Sequence, residues 1–181
     1  MRSSHDVIRF WFLDHGEDDW FGGKPEFDDA LTEAFARTHE QVARGEAWTW
    51  RRTAEGRLAE IVVLDQFSRQ LHRGSPEAFA QDKMALVLAQ EAIAAGADQV
   101  MQPAWRSFFY MPFMHAESLV IQEEGMALFG ALGNPEQLEF MKGHRDCIAR
   151  FGRFPFRNKA LGRESTEEEV AYMQEQEGRA F

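Results

Sequence analysis

Between His144 and Arg163 the sequence reads HRDCIARFGRFPFRNKALGR, which sets six cations (Arg145, Arg150, Arg153, Arg157, Lys159 and Arg163) against Asp146 alone. That is +5 in a chain whose formal net charge is −10, so −15 is left for the rest. A guanidinium is a planar fork that grips a carboxylate or phosphate with two parallel hydrogen bonds, and aromatic rings stack on its faces. Arginines interleaved with Phe151, Phe154 and Phe156 therefore predict either cross-links to buried carboxylates or a receptor for an anion.

The carboxylates that could use such donors are legible too. At helical spacing Asp65 falls in line with Leu58, Ile61 and Val62, with Arg69 one turn further on. Glu117 shares a stripe with Met114 and Ile121, and His144 shares one with Phe140, Met141, Cys147, Ile148 and Phe151. An acid on an apolar face must find donors or take up a proton. In one reading the arginines bind Asp65 and Glu117 and lock helices in register. In the other, surplus arginines line a pocket for a phosphate or carboxylate, and one of Arg150 and Arg153 keeps no carboxylate partner. The candidate ligand-binding set is Asp65, Arg69, Tyr110, His115, Glu117, His144, Arg145, Arg150, Arg153, Arg157 and Asn158. The leading function is a binding or interaction protein that takes a small anion, an acidic peptide end or a protein partner. Whether the chain is an enzyme is left open. That alternative is metal-independent hydrolysis or transfer on a phosphorylated or carboxylated metabolite, with His144 as base and Arg150 and Arg153 as clamps.

Other motifs lack their companions. The HRD at His144–Asp146 has no glycine-rich loop or Asp-Phe-Gly of a kinase. The HAE at His115–Glu117 would need a Cys-x-x-Cys pair to hold a deaminase zinc, and Cys147 is the only cysteine. His5-Asp6 stands alone at a helix start. No metal ligand set and no cofactor are expected, and Cys147 on its apolar stripe reads as an inert core thiol.

The elements that must position these residues read as all-α: apolar residues recur every three or four positions and no segment alternates. Helices are predicted over 5–14, 26–44, 54–72, 76–95, 103–132 with a bend near Pro112, 135–151 and 166–177. Ser75-Pro76, Gln102-Pro103 and Asn134-Pro135 mark starts, and Ser165 with Glu168 forms a capping-box pattern. Gly22-Gly23, Gly74, Gly96, Gly133 and Gly152 mark ends. Short connections predict antiparallel hairpins within a single domain over 1–181.

The acidic balance argues against nucleic acid and anionic membranes as partners. The longest early apolar block, FWFL, is too short for a secretion signal, and no run approaches a bilayer span. With one cysteine and no signal, the cytoplasm is the expected location.

Three stretches, DQFSR at Asp65–Arg69, YMPFMHAE at Tyr110–Glu117 and ARFGRFPFRNKALGREST at Ala149–Thr166, resemble an uncharacterised bacterial family, domain-of-unknown-function family nine hundred and twenty-four, over about Val7 to Tyr172. The resemblance implies an all-helical fold like tetratricopeptide-repeat arrangements and carries no assigned activity or catalytic residues. Ser68 stands where the family commonly has proline, and Phe156 where it commonly has histidine.

Overall fold

The computed structural model of the chain describes residues 1–21 and 23–176. Among these there is no β-strand, and the all-α expectation holds. Gly22 and Glu177, the last residue of the expected 166–177 helix, lie outside the described residues.

Helix α1 spans residues 4–14 and is α-helical over Ser4–Ile8, then π-helical over Arg9–Asp14. Helix α2 is Pro25–Ala43, helix α3 covers 54–71, and helix α4 is Asp82–Ala94. Helices α5 to α8 are Pro103–Met114, Leu119–Leu132, Pro135–Phe151 and Glu167–Glu175. Two of these differ from the sequence reading. The expected 76–95 helix begins only at Asp82, after a 3-10 turn over Pro76–Phe79. The expected 103–132 helix is two helices. Pro112 sits inside α5 without ending it, and the break falls at 115–118. The amide of buried Gln122 takes over the end of α5 by donating to the carbonyls of Phe113, Met114 and Ala116 at 3.3, 2.7 and 2.8 Å. A side chain here satisfies the carbonyls that every helix end leaves open.

The residues group into two compact units: Met1–Arg73 with Glu77–Pro112, and Gly74–Pro76 with the residues from Phe113 on. The first is built on α3, which packs against α1, α2 and α4. Its core holds Val7, Trp11, Leu31, Leu58, Ile61, Leu64 and Phe67. Thr53 caps α3 through Gly56 N–H at 3.0 Å, and a Cβ at Gly56 would lie 2.0 Å from Trp50 O, so only glycine lets the Trp48–Arg52 turn come so close. Midway, α3 widens into a π-helical turn over Val63–Phe67, and all five of these residues are buried.

In the second unit α6 and α7 form an antiparallel hairpin, with Arg145 bonded to Glu123 and Gly125 against Met141. Asn134 starts α7 by accepting from Glu136 and Gln137 N–H, and Gly152, at φ 71°, ends it in the left-handed conformation that glycine adopts without strain. After that turn the chain runs through a 3-10 turn, Pro155–Arg157, to α8.

Candidate functional site

In the second unit the basic segment meets four glutamates, Glu117, Glu123, Glu168 and Glu169, and Arg163 is the residue that ties most of it together. Its Nη1 and Nη2 donate to Glu117 Oε2 and Oε1 at 2.8 and 2.9 Å, a two-point fork. Nη2 also reaches Phe154 O at 3.0 Å, and Nε reaches Asn158 Oδ1 at 2.9 Å. Phe154 N–H returns a bond to Glu117 Oε1 at 2.8 Å. Burial alone would raise the Glu117 carboxyl, but the Arg163 fork and the Phe154 N–H outweigh it and hold the group below its ordinary range.

Asn158 passes the connection on, its amide donating to Ser165 Oγ at 3.1 Å and to Glu169 Oε2 at 3.2 Å. Glu169 is buried and takes a second fork, from Arg153 Nε and Nη2 at 2.7 and 2.9 Å. The same carboxylate closes the capping box of α8, accepting from Thr166 N–H at 2.9 Å while Thr166 Oγ1 accepts from Glu169 N–H. The Arg153 bond above all, then the Thr166 N–H and Asn158, lowers the Glu169 carboxyl to about 2. The box is thus Thr166 with Glu169, not Ser165 with Glu168. Both pairs fit the pattern, and the register is chosen by the pair whose glutamate Arg153 and Asn158 can reach.

Alongside this polar row runs an apolar one. Tyr172, one turn after Glu169, packs on Phe151 and Phe156 at ring separations of 5.0 and 6.4 Å, with the Arg150 guanidinium 5.7 Å from its centroid. Arg150 also binds Glu168 at 2.9 Å. Phe154, Cys147 and Ile148 complete the cluster. Burial pushes the Cys147 thiol up, which keeps it a thiol and suits its core role.

Arg157 is buried, stacks over Phe154 at 4.5 Å and donates to His115 O at 3.0 Å. The His115 and His144 rings are 6.3 Å apart, and His144 Nδ1 lies 2.7 Å from Phe140 O, which can only accept, so Nδ1 carries a proton. Arg145 faces elsewhere, bonded to Glu123 and Asp146 on an exposed surface.

The second unit therefore brings together His115, Glu117, His144, Arg150, Arg153, Arg157 and Asn158. Asp65, Arg69 and Tyr110 belong to the first unit. There Gln66 donates to Asp65 Oδ2 at 2.6 Å, while Arg69 lies 3.4 Å from Asp65 Oδ1 and forks onto Asp82 at 2.8 and 3.1 Å. Tyr110 donates to buried Asp98 at 2.6 Å. Arg163, Glu169, Asp82 and Asp98 are absent from the candidate set. Arg163 was counted only as charge, and Glu169 was hidden in a run of glutamates.

The expectation that Arg150 or Arg153 keeps no carboxylate partner fails, since Glu168 and Glu169 occupy them. As oxyanion clamps for a hydrolase they are already engaged. Ser68 and His39, 2.7 Å apart in the first unit, have the composition of a nucleophile and base. Ser68 is fully buried, however, and donates its proton to Leu64 O at 2.6 Å, so His39 Nε2 is the donor to Ser68. Burial, with His72 nearby, lowers His39 to about 4. Among the described residues no group of three His, Cys, Asp or Glu side chains is placed to hold a metal ion, and no helix is long and apolar enough to cross a membrane.

The fold and site define an all-helical protein with an arginine–carboxylate clasp joining a hairpin to a following helix. The chain belongs to the family described as bacterial protein of unknown function, DUF924, whose model matches residues 7–177. It is similar to a solved protein of unknown function from Agrobacterium tumefaciens, 40% identical, with a TM-score of 0.91 over 95% of this chain and 97% of that one. No curated protein matches it.

Proposed function

We propose that the chain is a helical binding protein whose segment 150–163 recognises carboxylates carried on a polypeptide. The observation that supports this is what the segment already holds. Arg153 and Asn158 grip the carboxylate of Glu169, and Phe151, Phe156 and Arg150 surround the ring of Tyr172 one turn later. The Arg153 fork is filled by a glutamate on a helix, which favours an acidic peptide over a small free anion. In this reading the α6–α7 hairpin is the tetratricopeptide-like element that presents the segment, and the protein works in the cytoplasm, where Cys147 stays reduced.

The test uses the chain carrying Glu169→Ala and Tyr172→Ala, which frees the segment. A peptide with the sequence of residues 165–176 raises its melting temperature and saturates in a calorimetric titration, while phosphate and citrate do neither. Stabilisation by phosphate or citrate with no response to the peptide overturns the reading in favour of a small-anion pocket.

A further inference from the structure

Helix α8 is nine residues long, below the roughly 12–15 at which an isolated helix holds its shape in water. Only Glu169 and Tyr172 of those nine are buried. Glu169 closes the capping box with the same carboxylate that Arg153 and Asn158 hold. The start of the helix and its docking are therefore one event, as in segments that fold when they bind.

The backbone turn and Asn158 beneath it are held by other bonds. Arg163 is anchored on Glu117 and Phe154 O, and its Nε orients Asn158 from the side away from Glu169. Arg157 is tied to His115 O and stacked on Phe154. None of these contacts uses α8. Between pinned Arg163 and the cap residue Thr166 stand only Glu164 and Ser165, both exposed. Arg153 Nη2 donates to Glu164 O at 2.8 Å and Asn158 to Ser165 Oγ at 3.1 Å, so the link is held by the same two side chains that hold Glu169 and lifts only together with the helix.

Resting on the proposed function, we infer that α8 is an exchangeable occupant of its own binding surface, and that the partner is an acidic helix carrying glutamate and tyrosine three residues apart, as Glu169 and Tyr172 are. The tether matters quantitatively. A short flexible link gives the attached helix an effective concentration of about 1 mM, so a partner peptide competes poorly until α8 is displaced. The docked helix thereby sets a threshold that only a tighter or locally concentrated partner crosses.

The experiment places a site for a specific protease between Glu164 and Ser165 in the full chain. Fluorescence anisotropy then follows a labelled peptide with the sequence of residues 165–176. The uncut chain binds it weakly. After cutting and gel filtration the α8 fragment separates, the remaining chain keeps its helical circular dichroism, and apparent affinity rises about a hundredfold. Peptides carrying Glu169→Gln or Tyr172→Ala bind more weakly than the parent peptide. The Glu169→Ala, Tyr172→Ala chain is titrated in parallel. If that variant binds the peptide but the cut fragment never leaves, the exchange is wrong and the binding function stands. If neither form binds, both fall. If cutting unfolds the chain, the surface depends on α8 and the exchange is likewise wrong.

Discussion

Replacing Arg163 by alanine removes four hydrogen bonds at once: two to Glu117, one to Phe154 O and one to Asn158 Oδ1. Breaking a fully buried ion pair costs about 3–5 kcal/mol, and an exposed pair is worth about 0–1. The side chains of Arg163 and Glu117 are 22% and 27% exposed, so this pair falls between those limits. Phe154 N–H still solvates Glu117 after the change, and about 2–3 kcal/mol is the expected loss. Arg163→Lys, which keeps the charge without the fork, loses about 1–2 kcal/mol. A double-mutant cycle with Glu117→Gln isolates the pair and gives a coupling of about 1–2 kcal/mol. Urea unfolding is the assay, with two optical probes. All five tryptophans, at 11, 20, 48, 50 and 105, lie in the first unit, so their fluorescence follows that unit alone. Far-ultraviolet circular dichroism follows both, and the loss appears there. A loss under about 0.5 kcal/mol for Arg163→Ala, or a coupling near zero, refutes the view that Arg163 holds the segment together.

Gly56→Ala places a methyl group 2.0 Å from Trp50 O and loses at least about 2 kcal/mol in a tryptophan-monitored melt, whereas an unchanged midpoint contradicts the packing described at that turn. Asp65→Ala leaves Arg69 its fork on Asp82 but strips the buried Gln66 amide of its 2.6 Å acceptor, for a loss of about 2–4 kcal/mol by urea titration. Acid acts on the two units in different windows. His39, neutral in the fold at a value near 4 against 6.5 unfolded, supplies stability that is complete above pH 6.5 and fades between there and 4, worth roughly 2–4 kcal/mol to the first unit. Glu169, lowered to about 2 against 4.5 unfolded, supplies stability present above pH 4.5 and lost below it. Tryptophan fluorescence therefore changes at a higher pH than the release of α8, and the reverse order contradicts both assignments.

How much of this was legible in the sequence depended on whether the signal was local. Asn134-Pro135 and Gly152 announced α7 because a cap, a donorless N1 residue and a left-handed glycine act within a turn of where they stand. The same logic failed at 115–118. The side chain that finishes α5 there belongs to Gln122, six to nine residues further on, and Pro112, the visible breaker, is tolerated inside the helix. The π-helical turn at Val63–Phe67 leaves no mark on a 3.6-residue period, yet Asp65 is buried as its apolar stripe implies. Glu117, an acid on an apolar stripe, does take an arginine fork. Its partner was another matter: Glu117 and Arg163 are 46 residues apart, a pairing that no spacing rule specifies.

The central claim, that Arg153 reads a carboxylate presented on a helix, is tested most directly by a two-by-two affinity measurement on the chain cut between Glu164 and Ser165. Chains with Arg153 or Arg153→Glu are titrated with 165–176 peptides carrying Glu169 or Glu169→Arg. Both mismatched pairs should bind at least about tenfold more weakly than the natural pair, the equivalent of about 1.4 kcal/mol. The swapped pair should recover part of the loss, with the remainder reflecting the missing capping box at Thr166. Four equal affinities, or a swapped pair no better than the mismatches, would contradict the account.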